Sequence, residues 1–129
     1  MAVMPHILLG EKMTAPYALL PGDPARLDRI AAHLDQVEEL AYNREFRSLR
    51  GFYKGVCVMA LSTGLGGPST AVAVEELAKL GVSHMIRIGS CGALQRGIHV
   101  GDLVLVNGTV RNDGTSRTYI EDGYPAVAD

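Results

Sequence analysis

The sequence predicts an α/β fold around a largely parallel sheet, and two features of its patterning carry that expectation. Short apolar runs of strand length alternate with segments whose apolar residues recur at helical spacing, and several of the runs end in glycine-rich turns. At 129 residues with 47% hydrophobic content, the chain is one domain-sized unit with enough apolar material for a core.

Tyr17–Leu20 reads as the first strand. Leu20-Pro21-Gly22-Asp23-Pro24 turns from it into a helix expected over Asp23–Leu34, with Asp23 as N-cap, Pro24 at the first helical position and apolar residues at 27, 30, 31 and 34. Gln36–Tyr42 follows as a strand, then two more at Glu45–Ser48 and Val56–Ser62. The loop Gly64-Leu65-Gly66-Gly67-Pro68-Ser69 opens a second helix, expected to face the core with Val74, Leu77 and Ala78 and to end at a Gly81 cap. Val82–Ile88 reads as a strand of a parallel sheet closed by Gly89-Ser90-Cys91-Gly92, and Leu103–Val106 as another strand. Asn107-Gly108 is a hairpin signal, weakened because residues 111–124 lack a clear second strand.

Two arginines sit where local chemistry disfavours them. Arg26 falls in the first turn of a helix, where the dipole opposes a cation by roughly 0.3–1 kcal/mol. Either Asp23 or Asp28 neutralises it at the surface, or the free amides and Gly22 beside it form an anion site. Arg87 lies in an apolar strand of a type covered on both faces, where an unpaired guanidinium costs several kcal/mol. It must therefore meet a buried carboxylate or a bound anion. Its place near the carboxyl end of a strand is where open α/β sheets bind ligands.

Other patterns narrow the function. Net charge is −2 with no concentration of lysine and arginine, which points away from a nucleic-acid groove or an anionic membrane surface. The longest apolar run, Val56–Leu61, is too short to span a bilayer, and Ile7-Leu8-Leu9 is too short for a signal-peptide core, so a cytoplasmic location is expected. Cys57 and Cys91 have no metal-ligand spacing and read as reduced thiols; Cys91, in the glycine turn, is expected to be a small buried residue or to line the pocket. The Gly64 loop is not GxGxxG, since Ser69 occupies the third glycine position, and it lacks the GK[ST] of a Walker loop. It lets backbone approach either a ligand or a neighbouring strand. The four histidines, 6, 33, 84 and 99, show no zinc-ligand spacing, and His6 near the start reads by default as a mobile terminal residue.

Six motifs in order resemble the hexameric nucleoside phosphorylases, most of all their uridine-cleaving branch. They are Pro21-Gly22-Asp23-Pro24-Ala25-Arg26, Asn43-Arg44-Glu45-Phe46, Ser62 to Thr70, Val74-Glu75-Glu76-Leu77, Arg87 to Ala93, and Val100-Gly101-Asp102. Pro5-His6-Ile7 is more similar to the purine-cleaving branch. The resemblance implies a three-layer α/β/α fold with a mixed, largely parallel sheet, and reversible phosphorolysis of a nucleoside to free base and ribose 1-phosphate. It implies inorganic phosphate as co-substrate, no organic cofactor, and a homo-oligomer, hexameric in the family, whose site-forming unit is a dimer. By similarity Gly22, Arg26, Arg87 and Ser90 would hold phosphate, with Arg87 and Ser90 catalytic and the Ser90 hydroxyl also reaching the ribose. Arg44 would complete the phosphate site of the neighbouring subunit, and His6 would reach across the same interface to the ribose 5′-hydroxyl. Glu45, the Leu65 carbonyl and Ser69 would form a site for K+ or Na+ between subunits.

Family chains continue well past the point corresponding to Asp129, and their second half carries base recognition. Residues 1–129 are therefore expected to be the amino-terminal half of a phosphorylase domain. Two readings follow: half of a working phosphorylase, for uridine or alternatively for a purine nucleoside, or a non-catalytic module that binds phosphate or assembles with full-length subunits. Hydrolytic relatives that use water need no phosphate clamp, so three arginines together favour phosphorolysis.

Overall fold

The structure is a computed structural model that describes residues 3–128. It divides into two compact units, Met1–Gly89 and Ser90–Asp129. The first holds β1 (Tyr17–Pro21), α1 (Arg26–Ala31), β2 (Asp35–Asn43), β3 (Phe46–Tyr53), β4 (Val56–Leu61), α2 (Gly67–Lys79) and β5 (His84–Ile88). Its sheet has the order β2-β3-β4-β1-β5. β1 runs parallel to β4 and β5, and β3 runs antiparallel to β2 and β4.

Alternation along the central strands divides their side chains between two faces. Ala18, Leu20, Met59 and Leu61 meet Ala73 and Leu77 of α2, together with Ile7 and Leu9. Leu49 and Ala60 meet Leu27 of α1, with Leu19, Ile30 and Leu34 around them. One helix thus covers each face, giving the three α/β/α layers. Two tight hairpins order the antiparallel side. Tyr53 pairs with Val56 around Lys54-Gly55, both at positive φ, which is the type I′ geometry matched to strand twist. Asn43 pairs with Phe46 around Arg44-Glu45, with Arg44 at φ 56°.

Several elements differ from expectation for identifiable reasons. α1 starts at Arg26, with Ala25 as its N-cap and no side-chain cap. Asp23 Oδ1 instead accepts from the Ala25 amide at 2.9 Å, closing a turn ahead of the helix that leaves Pro24 outside it. At the far end His33 and Leu34 donate to Ile30 and Ala31, so the last turn tightens and the α-ladder stops at Ala31. β3 runs five residues further than its apolar pattern suggests, to Tyr53, because it is paired on both sides. α2 buries Ala73, Glu76 and Leu77, whereas Val74 and Ala78 are exposed: the inward stripe runs through 73, 77 and 80 and carries a glutamate.

β5 is not covered on both faces. It pairs only with β1 among the described residues and is largely exposed, Arg87 included. Leu103–Val106 is not a strand: an apolar run becomes one only by pairing, and none of the described residues pairs with it. In the second unit β6 (Gly108–Thr109) pairs antiparallel with β7 (Ala126–Val127), so Asn107-Gly108 leads into a strand and not a tight turn. Between them Arg111 organises the chain, donating to the carbonyls of Ser116, Ile120, Glu121 and Tyr124 and to Ser116 Oγ. Cys91 is exposed, not buried. Among the described residues no helix is long and apolar enough to cross a membrane.

Candidate active site

Because β1, β4 and β5 are parallel, the segments leaving their carboxyl ends share one edge of the sheet. The Thr63 and Gly64 amides donate to the Pro21 and Gly22 carbonyls, both at 2.9 Å, which prolongs the β1–β4 pairing past the strands themselves. On the other side the register sets Arg87 opposite Leu20 and Ile88 opposite Pro21. The Arg87 guanidinium then lies against two glycines. Its Nη2 is 3.5 Å from where a Cβ on Gly22 would stand, and its Nη1 is 2.6 Å from the corresponding point on Gly89. A side chain at 89 would occupy the space that the guanidinium fills. Arg87 is exposed, so the cost of burying a cation does not apply to it, and its position at the strand ends is what marks it.

Arg26 is the first residue of α1, half-buried and four residues beyond Gly22. The amides expected to be free at this turn are engaged: Ala25 donates to Asp23 Oδ1, Arg26 to the Asp23 carbonyl and Leu27 to the Pro24 carbonyl. Asp28 pairs with Arg47, whose Nη2 lies 2.8 Å away. Arg47 also binds Glu39 and donates to the Pro24 carbonyl at 3.3 Å, and these acidic partners, Glu39 first, push its pKa above the usual arginine value. It ties the turn that bears Arg26 to the sheet. Sequence reading passed over Arg47. Its signal was the pairing of acids at 38 and 39 with arginines at 47 and 50 across a hairpin centred on Arg44-Glu45.

A second group gathers His6, Asn43 and Arg44. Asn43 Nδ2 donates to the His6 carbonyl at 2.7 Å, which sets His6 beside the hairpin tip that carries Arg44. Arg44 is exposed and held at positive φ, a conformation that costs a non-glycine residue of order 1 kcal/mol. His6 is not loose: its Nδ1 lies 2.5 Å from Glu76 Oε1, and the amides of His6 and Ile7 donate to Glu76 Oε2 at 3.2 and 2.9 Å. Glu76 is 6% exposed. Burial by itself would raise its pKa, but the Ile7 amide, the His6 ring and the His6 amide together outweigh that and hold the carboxyl below its usual range. The sign of Glu76 was legible in principle, since it is the one charged residue on the apolar stripe of α2.

A third group surrounds Gly64. A Cβ there would stand 2.6 Å from Glu45 Cγ and 3.4 Å from Ser69 Oγ. Ser69 Oγ donates to the Leu65 carbonyl at 2.9 Å. Glu45, Leu65 and Ser69 therefore meet at one loop. Ser90 opens the second unit and is exposed. Among the described residues no three His, Cys, Asp or Glu side chains gather as metal ligands would.

Residues 16–129 match a family model described as the Phosphorylase superfamily. A uridine phosphorylase of Thermococcus kodakarensis is 50% identical over 124 residues, spanning 96% of this chain and 45% of that protein. A guanosine phosphorylase of Halorubrum lacusprofundi is 46% identical over 129 residues, spanning 100% of this chain and 54% of that one. The crystal structure of uridine phosphorylase from Vibrio fischeri ES114 complexed with 6-hydroxy-1-naphthoic acid superposes with a TM-score of 0.97 at 45% identity, covering 99% of this chain and 53% of the other. The chain spans about half the length of these relatives.

Proposed function

The chain belongs to the phosphorylase superfamily, and on that premise we propose that it forms the phosphate-binding half of a nucleoside phosphorylase, with uridine as the nucleoside. The observation that carries this reading is the seating of Arg87 against Gly22 and Gly89, at the strand ends that also lead into the Arg26 turn. In phosphorolysis a phosphate oxygen bonds to C1′ as the C1′–N bond breaks and its electron pair leaves with the base. Positive charge builds on the ribose meanwhile, and a phosphate held beneath it both stabilises that charge and attacks. Guanidinium groups suit the task, since they bind phosphate as bidentate forks where lysine gives a point charge.

In this reading Gly22, Arg26, Arg87 and Ser90 hold phosphate within one subunit, and Ser90 also meets the ribose. Arg44 and His6, which share one corner through Asn43, serve the site of a neighbouring subunit, so the working unit is at least a dimer. Glu45, the Leu65 carbonyl and Ser69 offer oxygen atoms to K+ or Na+ at that interface. The reaction calls for no organic cofactor, and a cytoplasmic location suits its substrates.

Uracil release from uridine, measured with this chain alone and with a separately produced complementary half, tests the proposal. Turnover in the mixture is expected, and none in either sample would overturn it. Release in phosphate-free buffer would make the reaction hydrolytic. Faster cleavage of guanosine than of uridine would place the chain with the purine-cleaving enzymes, a reading favoured by the guanosine phosphorylase relative. A second reading, carried by the same seating of Arg87 against Gly22 and Gly89, is a module that binds phosphate without catalysis. Calorimetry that shows phosphate binding, weakened in Arg26→Ala and Arg87→Ala, would accompany an absence of turnover in that case.

A further inference from the structure

We propose that Glu76 is a positioning residue that fixes the proton of His6 on Nδ1 and leaves Nε2 as a bare acceptor, so that His6 receives a hydrogen bond from a ligand hydroxyl and does not donate to a phosphate oxygen. The role of His6 at a ligand rests on the function proposed above; the control exerted by Glu76 does not. The geometry is specific. Nδ1 lies 2.5 Å from Oε1, while Oε2 takes the His6 and Ile7 amides, so both carboxylate oxygens are occupied by donors from one short segment. An ionised carboxylate only accepts hydrogen bonds, hence the proton between it and the imidazole belongs to Nδ1. The hydrogen bonds that Glu76 receives from His6 and Ile7 outweigh its burial on α2 and keep it ionised at neutral pH.

The ring is also oriented from behind. Asn43 Nδ2 donates to the His6 carbonyl, so the backbone is held on one side and the imidazole on the other. Among the described residues no group bonds Nε2, and the His6 side chain is 48% exposed. What Nε2 meets must then come from outside the described chain. A neutral imidazole with its proton on Nδ1 presents a lone pair there, which suits a sugar hydroxyl and repels an anionic oxygen.

Nitrogen NMR of the intact 129-residue chain with labelled histidine reads the tautomer directly. At pH 8.5 the His6 resonances, identified by their loss in His6→Gln, are expected to show a protonated Nδ1 and an unprotonated Nε2. A proton on Nε2 in the unmodified protein would overturn the proposal whatever any variant does. Glu76→Gln presents one acceptor oxygen where three donors converge, so His6 should shift toward the Nε2-protonated form that free histidine favours. Retention of the Nδ1 tautomer in a folded Glu76→Gln would remove Glu76 from the role. Asn43→Ala, which spares the ring contact, should leave the tautomer as it is, and its loss there would assign control to the backbone tether. Inorganic phosphate added to the same sample is expected to leave the His6 signals in place; protonation of Nε2 on its addition would overturn the acceptor assignment. None of these measurements needs turnover, so failure of the phosphorolysis assay leaves the result standing.

Discussion

Arg87 shows how a residue's place along a strand can be read from sequence while its burial cannot. Its position at a strand end was legible from the apolar run and the glycine turn, but its burial was not, because exposure depends on a neighbouring strand that local sequence does not reveal. The glycines around it give a sharp test. Gly89→Ala sets a methyl group 2.6 Å from Nη1, and since a guanidinium is the far end of a flexible side chain, it moves aside at little cost to the fold. Phosphate affinity measured by calorimetry should fall about tenfold or more, the scale of one charge-assisted hydrogen bond, with the melting temperature nearly unchanged. A large loss of stability with intact binding would mean that the glycine serves packing. Leu77→Ala should behave in the opposite way. Fully buried between α2 and the sheet, it should cost about 2–5 kcal/mol in denaturant unfolding.

At the scale of elements, strands and helices were legible wherever one period dominated, and their ends were not. Helix α1 reads as twelve residues by its apolar spacing, yet hydrogen bonds of the tighter turns at each end reduce the α-helix to six. Such a short helix depends on its anchors, and Arg47 supplies one through Asp28 and the Pro24 carbonyl. Arg47→Met should lower stability by about 1 kcal/mol or less, because its acidic partners are mostly exposed, while hydrogen exchange at the Arg26 and Leu27 amides speeds up selectively. Uniform exchange across the sheet would contradict that role. Glu76 links α2 to the segment before β1 and should make stability depend on acidity. Its carboxyl titrates lower in the folded protein than in the unfolded chain, so its contribution is complete above pH 4.5 and is lost as pH falls below that through the folded value. Thermal unfolding followed from pH 6 to pH 3 should show this loss, and Glu76→Gln, less stable by about 1.5–3 kcal/mol at neutral pH, should flatten it. This link escaped the sequence reading because it joins residues 70 positions apart.

Over the whole molecule, the apolar run that pattern alone assigns to a strand holds two of the most exposed leucines among the described residues. Leu103 and Leu105 are 100% and 96% exposed, and Val100 is no less so, in a family whose members are about twice as long. Exposed apolar surface of this kind drives association, so light scattering should report aggregation that rises with concentration, and Leu105→Lys should reduce it without altering the circular dichroism. An unchanged scattering profile would show that this segment is not the adhesive one. The sheet of the first unit also implies an order of events in folding. β2, β3 and β4 join through two-residue loops, whereas the pairing of Tyr17 with His84 closes a stretch of more than half the chain. Loop-closure entropy opposes that contact until the local hairpins exist, so β5 docks late and Arg87 reaches Gly22 only near the end of folding. Destabilising changes in β5 should then speed unfolding and barely slow refolding, and bound phosphate should act as a brake on unfolding with little effect on the route by which the chain folds.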